Sequence, residues 1–275
     1  MTEWKGESAM PAWGAESGHI DVSVQEQVAV VTLRRPEKLN ALTAAMRREL
    51  AAIIRHFGDG RRVRGLVLTG SGRAFSAGQD LREAAEAPKN GLLAEVELFH
   101  DITRAVLETR IPTVAALNGM AVGGAGEMTL CFDARIGSPD AAYSLPENDI
   151  GLTISNGASV LLPRLVGHKA MSLVMESARI EAQQAHSLGL LDVIVDEDEL
   201  LPAAIRLVRR WTRPGAATGA HLQLLRPSWQ VVEAAVARET QAVQHTEDTG
   251  VARAGIDRFL GKRAHPPQEG AAAVQ

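Results

Sequence analysis

The apolar run at residues 111–117 is cut off by Asn118-Gly119 and then by Gly123-Gly124-Ala125-Gly126-Glu127, after which apolar sequence resumes through Phe132. A β-branched run that ends in clustered glycines and resumes as apolar sequence predicts strand, tight turn, helix start. The first turn of a helix has N–H groups without internal partners and sits at the positive end of the aligned peptide dipoles. Glycines at 123, 124 and 126 leave those amides approachable, which suits an anion or a carbonyl oxygen gaining charge. Small residues serve close helix–strand packing equally well, so the stretch alone leaves both readings open. Glu127 tilts the balance, because it lies three residues after Gly124 and shares a face with it. A carboxylate beside an oxyanion site is unfavourable unless it is used.

With 275 residues and 45% hydrophobic content, the chain can bury a full core as one large domain, or as one domain with an appendage. A net charge of −4 offers no general attraction to nucleic acid or to an anionic membrane, so neither is expected as a partner. The single Cys131 excludes an internal disulfide and a cysteine metal cluster. The histidines show no spacing such as His-Glu-x-x-His, and no metal is expected. No apolar run reaches membrane-spanning length, and the N-terminus lacks the basic-then-apolar order of a secretory signal. A soluble, cytoplasmic setting is the expectation.

Residues 20–24 alternate and residues 28–33 are extended, which predicts a hairpin entering a sheet. Thr43 is placed to cap a helix over 44–57, and residues 65–69 read as a buried strand. Asp80 and Glu83 have capping-box spacing, so helices follow through to 109, before the strand at 111–117, the helix from 124 and a strand at 133–137. This alternation argues for an α/β fold with crossover connections. From Leu200 onward the pattern is helical, punctuated by Pro202, Pro214 and Pro227, as an appendage that folds back or packs on another subunit. The expected organisation is a flexible tail at 1–18, a core at 19–199, a C-terminal helical region at 200–263 and a second loose tail at 264–275.

Two further loops can carry chemistry. Phe75-Ser76-Ala77-Gly78-Gln79-Asp80 follows a strand and precedes a helix, so its amides are a natural second donor for an oxyanion pocket, although an ordinary capped turn has the same appearance. Ser76 lacks the Gly-x-Ser-x-Gly surroundings of a nucleophile elbow. In Leu145-Pro146-Glu147-Asn148-Asp149, Glu147 by itself reads as a solvated or capping carboxylate. Facing Glu127 across one site, it would form a pair whose pKa values are pushed apart into an acid and a base. Asp149 competes for that role.

Together these pieces resemble the crotonase, or enoyl-CoA hydratase/isomerase, superfamily. The likeness rests on Arg35-Pro36-Glu37-Lys38-Leu39-Asn40-Ala41-Leu42, the Phe-Ser-Ala-Gly-Gln-Asp loop, residues 111–127, Pro146-Glu147 with Gly151, and Ala185, Gly189-Leu190 and Asp192-Val193 downstream, and it spans residues 19–263. It implies an α/β fold of the crotonase type, a spiral of ββα units with a C-terminal helical region that builds trimers, commonly paired into hexamers. It also implies an acyl-CoA thioester as substrate, with no cofactor beyond the coenzyme A that the substrate carries.

By the same resemblance, Ala77 and Gly124 would supply the two oxyanion amides, with Gly78, Asp80 and Gly123 around them, and Glu127 and Glu147 would handle water and the proton. Phe259 and Lys262 match positions near the CoA nucleotide, often across a subunit boundary. Leu81, Leu92, Leu93, Leu98 and Phe99 lie where acyl-pocket walls would come from. The chain departs from the pattern after Gly151, where Ser155 stands in place of a glycine whose amide helps to position water in hydratases, and of an aspartate in dienoyl-CoA isomerases. A serine hydroxyl there can bind water or a polar substrate group. Hydration of a 2-enoyl-CoA is the leading reading. Isomerisation, another reaction on a functionalised acyl-CoA, and a non-catalytic acyl-CoA-binding protein are the alternatives.

Overall fold

The computed structural model describes residues 13–86, 88 and 91–261. Strands β1 (Ile20–Gln25) and β2 (Val28–Leu33) form the expected antiparallel hairpin. Helix α1 (Ala44–Phe57) is capped by Thr43, whose Oγ1 accepts the Met46 N–H at 3.2 Å. Next come β3 (Gly65–Gly70), β4 (Ala74–Ser76), α2 (Leu81–Glu86) and α3 (Gly91–Glu108). A second turn repeats the order with β5 (Thr113–Leu117), β6 (Met120–Val122) and α4 (Gly124–Thr129). A third has β7 (Ala134–Gly137), β8 (Ala142–Ser144), α5 (Ala158–Val166) and α6 (Lys169–Glu176), and β9 (Arg179–Glu181), α7 (Ala182–Leu188) and β10 (Val193–Ile194) close the core.

The strands sort into a six-stranded sheet ordered β1-β2-β3-β5-β7-β10 and a four-stranded sheet ordered β4-β6-β8-β9. In each turn the first strand joins the larger sheet, the second joins the smaller one, and a helix returns the chain to begin again. This is the spiral of ββα units that the resemblance implies. Pairing within the larger sheet is parallel apart from the β1–β2 hairpin. Such a sheet is buried on both faces, so its strands read as nearly continuous apolar runs. Alternate residues divide between two cores: Leu66, Leu68, Ala115 and Leu117 face α1 and α3, while Val67, Val114 and Ala116 pack with Leu200, Ala204 and Val208 on the other side.

Those last residues belong to α8 (Glu197–Trp211), which is followed by α9 (Thr218–Leu225), α10 (Trp229–Asp248) and α11 (Val251–Phe259). The C-terminal region folds back onto its own chain, where Val243, Ala252 and Ile256 bury against Ala84, Ala85 and Leu92 of α2 and α3. The capping box at Asp80 forms in part. Asp80 Oδ1 accepts the Arg82 N–H at 3.0 Å, but Glu83 accepts the Ala44 N–H at 2.9 Å and so joins α2 to α1.

The expected N-terminal tail lies outside the described residues at 1–12, and from Trp13 to Gly18 it is anchored rather than loose. The Gly14 N–H donates to the Glu49 carboxylate, and the Ser17 hydroxyl donates to it at 2.6 Å. The tail at 264–275 lies outside the described residues. Among the described residues no helix is long and apolar enough to cross a membrane, and no cluster of His, Cys, Asp and Glu could hold a metal ion.

Candidate active site

The glycine-rich turn joins β6 to α4. Gly123 adopts φ 53° and ψ −130°, and a Cβ there would come within 2.7 Å of Glu147 Oε1. Only glycine combines that backbone with that approach. Gly124 begins α4, and its N–H makes no hydrogen bond among the described residues. The Phe99 ring backs the turn closely, since a Cβ on Gly124 would lie 2.8 Å from Phe99 Cζ.

Across from this turn lies the loop after β4. The Ala77 N–H, expected as the second oxyanion donor, is committed to Leu39 O at 2.8 Å, and the Gly78 N–H donates to Ser76 Oγ at 3.2 Å. Asp80 N–H and Gly78 O both pair with Leu42, and Gln79 forms the bridge between them. Successive amides of an extended segment point to opposite sides, so the Gln79 N–H points away from Leu42, and it makes no hydrogen bond among the described residues. The donor this loop leaves free is therefore the Gln79 amide rather than that of Ala77. Gly78, at φ 84°, permits the close approach of the two loops, because a Cβ there would meet Val122 O at 2.5 Å.

Between the loops stand Glu127 and Glu147, both almost wholly buried. Glu127 Oε2 accepts three hydrogen bonds, from Ser155 N–H (3.1 Å), Ser155 Oγ (2.9 Å) and Asn156 Nδ2 (3.0 Å), while Oε1 has no partner. Glu147 Oε2 also has no partner. Burial and the Glu147 charge raise the Glu127 pKa against the pull of the Ser155 donors, with Glu239 adding to the rise. Burial lifts Glu147 to about 7. Two buried carboxylates facing one cavity cannot both ionise readily, so the pair retains a proton, and the donors gathered on Glu127 counter part of its upward shift.

Three residues that the sequence reading missed set this geometry. Gln79 is the first. Asn156, at φ 63°, donates through Nδ2 to Gly124 O at 3.1 Å as well as to Glu127, and so ties the oxyanion turn to the carboxylate. Glu239 of α10 accepts the Gly157 and Ser159 N–H groups, each at 2.8 Å, which holds the turn that carries Ser155 and Asn156. The Asn156-Gly157 pair is a signal for left-handed backbone. Glu239 also left a trace, as an acidic residue on the helix face shared by Val232, Ala235, Val236 and Val243.

One cavity of about 100 Å³ gathers Ala77, Gly78, Gly123, Gly124, Glu127, Glu147, Ser155 and Phe259. Leu81, Leu92 and Phe99 wall it as expected, joined by Val96, Leu152 and Val243, whereas Leu93 and Leu98 do not line it. Asp80 also stays outside the cavity, because its carboxylate pairs with Arg35 at 2.6 Å and caps α2. Although burial works to raise the Asp80 pKa, the hydrogen bonds from Arg35 and the helix amides hold it below the usual carboxylate range. Ser155 lines the cavity, but both its donors go to Glu127 rather than to substrate. Asp149 is not among the lining residues. Lys262 lies outside the described residues.

The profile of the enoyl-CoA hydratase/isomerase family matches residues 23–269. The chain belongs to this family. Among family relatives it is 33% identical to the 2,3-dehydroadipyl-CoA hydratase of Escherichia coli over 250 residues, which cover 88% of this chain and 95% of the relative. It is 33% identical to the crotonyl-CoA hydratase of Syntrophomonas wolfei over 199 residues, covering 70% and 75%. The crystal structure of the enoyl-CoA hydratase of Bacillus anthracis superimposes with a TM-score of 0.73 at 28% identity, covering 89% of this chain and 97% of that one.

Proposed function

We propose that this protein is an enoyl-CoA hydratase that adds water syn across the double bond of a 2-enoyl-CoA. The observation that carries the reading is the pair of buried glutamates, Glu127 and Glu147, set against the unpartnered amides of Gly124 and Gln79. The thioester carbonyl would sit between those amides, and the charge that develops on its oxygen would be stabilised by on the order of 3 kcal/mol per donor in a dry site. Glu127, whose Oε2 is held by the Ser155 and Asn156 donors, takes a proton from the water that attacks Cβ, and Glu147 delivers its proton to Cα. No cofactor is needed beyond the coenzyme A of the substrate. A cytoplasmic location and a homotrimeric or hexameric assembly are part of the proposal, and the assembly is supported by Leu224 and Leu225, which are 78% and 76% exposed on α9.

One observation favours a second reading. Ser155 commits both its N–H and its hydroxyl proton to Glu127, so neither donates to the attacking water, and a double-bond isomerase needs only the proton transfers.

The test is loss of the conjugated thioester absorbance of crotonyl-CoA. Glu127→Gln and Glu147→Gln are each expected to lower kcat by about 10²- to 10⁴-fold while crotonyl-CoA still binds. Wild type that leaves crotonyl-CoA unchanged but converts a 3-enoyl-CoA would make isomerisation the activity. Binding without either reaction would mark a non-catalytic acyl-CoA-binding protein.

A further inference from the structure

Glu147 belongs to two cavities. Besides the small one it shares with Glu127, it lines a second of about 390 Å³, together with Asn148, Thr153, Ser159, Arg238 and Glu239 but without Glu127. Leu152 and Thr153 line both cavities as well, so these residues and Glu147 form the partition between them. Two polar atoms of this partition are buried without a partner, Glu147 Oε2 and Thr153 Oγ1. Nearly all buried side-chain oxygens find a protein or water partner, and a hydroxyl both donates and accepts. The front cavity, at about 100 Å³, is small beside ordinary ligand pockets of roughly 300–1,000 Å³, so an acyl group seated there leaves little passage for water past it.

We propose that the second cavity is a rear port through which water and protons reach Glu147 while the acyl-CoA closes the front, with the Thr153 hydroxyl as the relay across the partition. The proposal rests on the hydratase reading. In that reaction the water oxygen bonds to Cβ, one water proton goes to Glu127 and the proton of Glu147 goes to Cα. The enzyme is left with the proton on Glu127 and none on Glu147. Before the next turnover Glu147 must gain a proton and Glu127 must lose one, and a new water must arrive. A path that opens on Glu147 from behind can return its proton and admit water, while Glu127, which lines only the front cavity, gives up its proton there.

The port is tested by filling it. Ala242 of α10 lines only the rear cavity, so Ala242→Phe obstructs it, Ala242→Ser is the small control, and Thr153→Val removes the relay hydroxyl at nearly constant volume. For crotonyl-CoA hydration, Ala242→Phe and Thr153→Val are expected to lower kcat about tenfold or more with KM unchanged, while Ala242→Ser keeps the wild-type rate. Exchange of the Cα protons of butyryl-CoA with D₂O should slow in parallel. An unchanged kcat in Ala242→Phe, or an equal loss in Ala242→Ser, overturns the port. Wild type that exchanges Cα protons but does not hydrate crotonyl-CoA fails the hydratase reading alone, and the variants are then read on exchange. Wild type that does neither removes the acid–base role of Glu147 and the port with it.

Discussion

Glu147 carries a cost of folding that depends on pH. Its folded pKa of about 7 lies above its ordinary value of 4.5 because the carboxyl is buried. Between those values the folded state holds a proton that the unfolded state has released, so stability falls as pH rises. The contribution is fully present below pH 4.5 and is lost once pH passes about 7, a change on the order of 3 kcal/mol. Glu127, shifted upward for the same first reason, adds to the slope with the same sign. Glu147→Gln, which has no proton to lose, should flatten the dependence. Urea unfolding at pH 5 and pH 7.5 would show wild type losing more stability between the two than the variant. An equal loss in both would place the slope elsewhere.

The β6–α4 junction is built to the limit of available space. A methyl group on Gly124 would meet Phe99 Cζ at 2.8 Å, and the ring cannot withdraw easily, because Arg47, fully buried, lies over it at 4.8 Å and is tied to Glu95. Gly124→Ala is therefore expected to displace the amide at the oxyanion position and lower kcat about 10²-fold, with a loss of stability from overpacking of about 1–3 kcal/mol. Steady-state kinetics beside thermal unfolding separates the two effects. The turn at 155–157 is coupled to the same junction, since Asn156 Nδ2 bridges Gly124 O and Glu127 Oε2. Asn156→Ala removes both bonds and leaves the carbonyl and the carboxylate short of a donor, at about 1–3 kcal/mol. Its kcat should fall further than its affinity for crotonyl-CoA.

Across the molecule, one side chain joins the C-terminal helices to the core. Arg226, between α9 and α10, donates to Thr109 O at 2.6 Å, Ile111 O at 2.7 Å and Asp133 Oδ1 at 2.6 Å, with both ends of the Arg226–Asp133 pair buried. Arg226→Ala would strand the Asp133 carboxylate, and removing one partner of a buried pair costs about 3–5 kcal/mol. The variant should unfold at a distinctly lower urea concentration than wild type. Because α10 also supplies Glu239 and Val243 to the site and its support, activity should be lost before the core unfolds. Coincident loss of activity and fold would instead show the C-terminal region and core to be one cooperative unit.

The longer strands and the helices up to α4, the turn at Gly123-Gly124 and both glutamates were legible in the chain, because periodicity, glycine punctuation and caps such as Thr43 are local properties that neighbouring residues express. The three-residue strands β4, β6 and β8 of the smaller sheet read as turn and loop, being too short to show a period. The choice of free amide was not legible either. Ala77 and Gln79 sit two residues apart in one loop, and only the pairing of that loop with Leu39 and Leu42 determines which N–H is spent. The same holds for the donors on Glu127, which come from 28 and 29 residues away, and for Glu239, which reaches back 82 residues to Gly157. Hydrogen-bond satisfaction and burial depend on which segments meet in space. A sequence can name the groups able to do the chemistry, but their protonation and their freedom to act are set by the partners that folding brings to them.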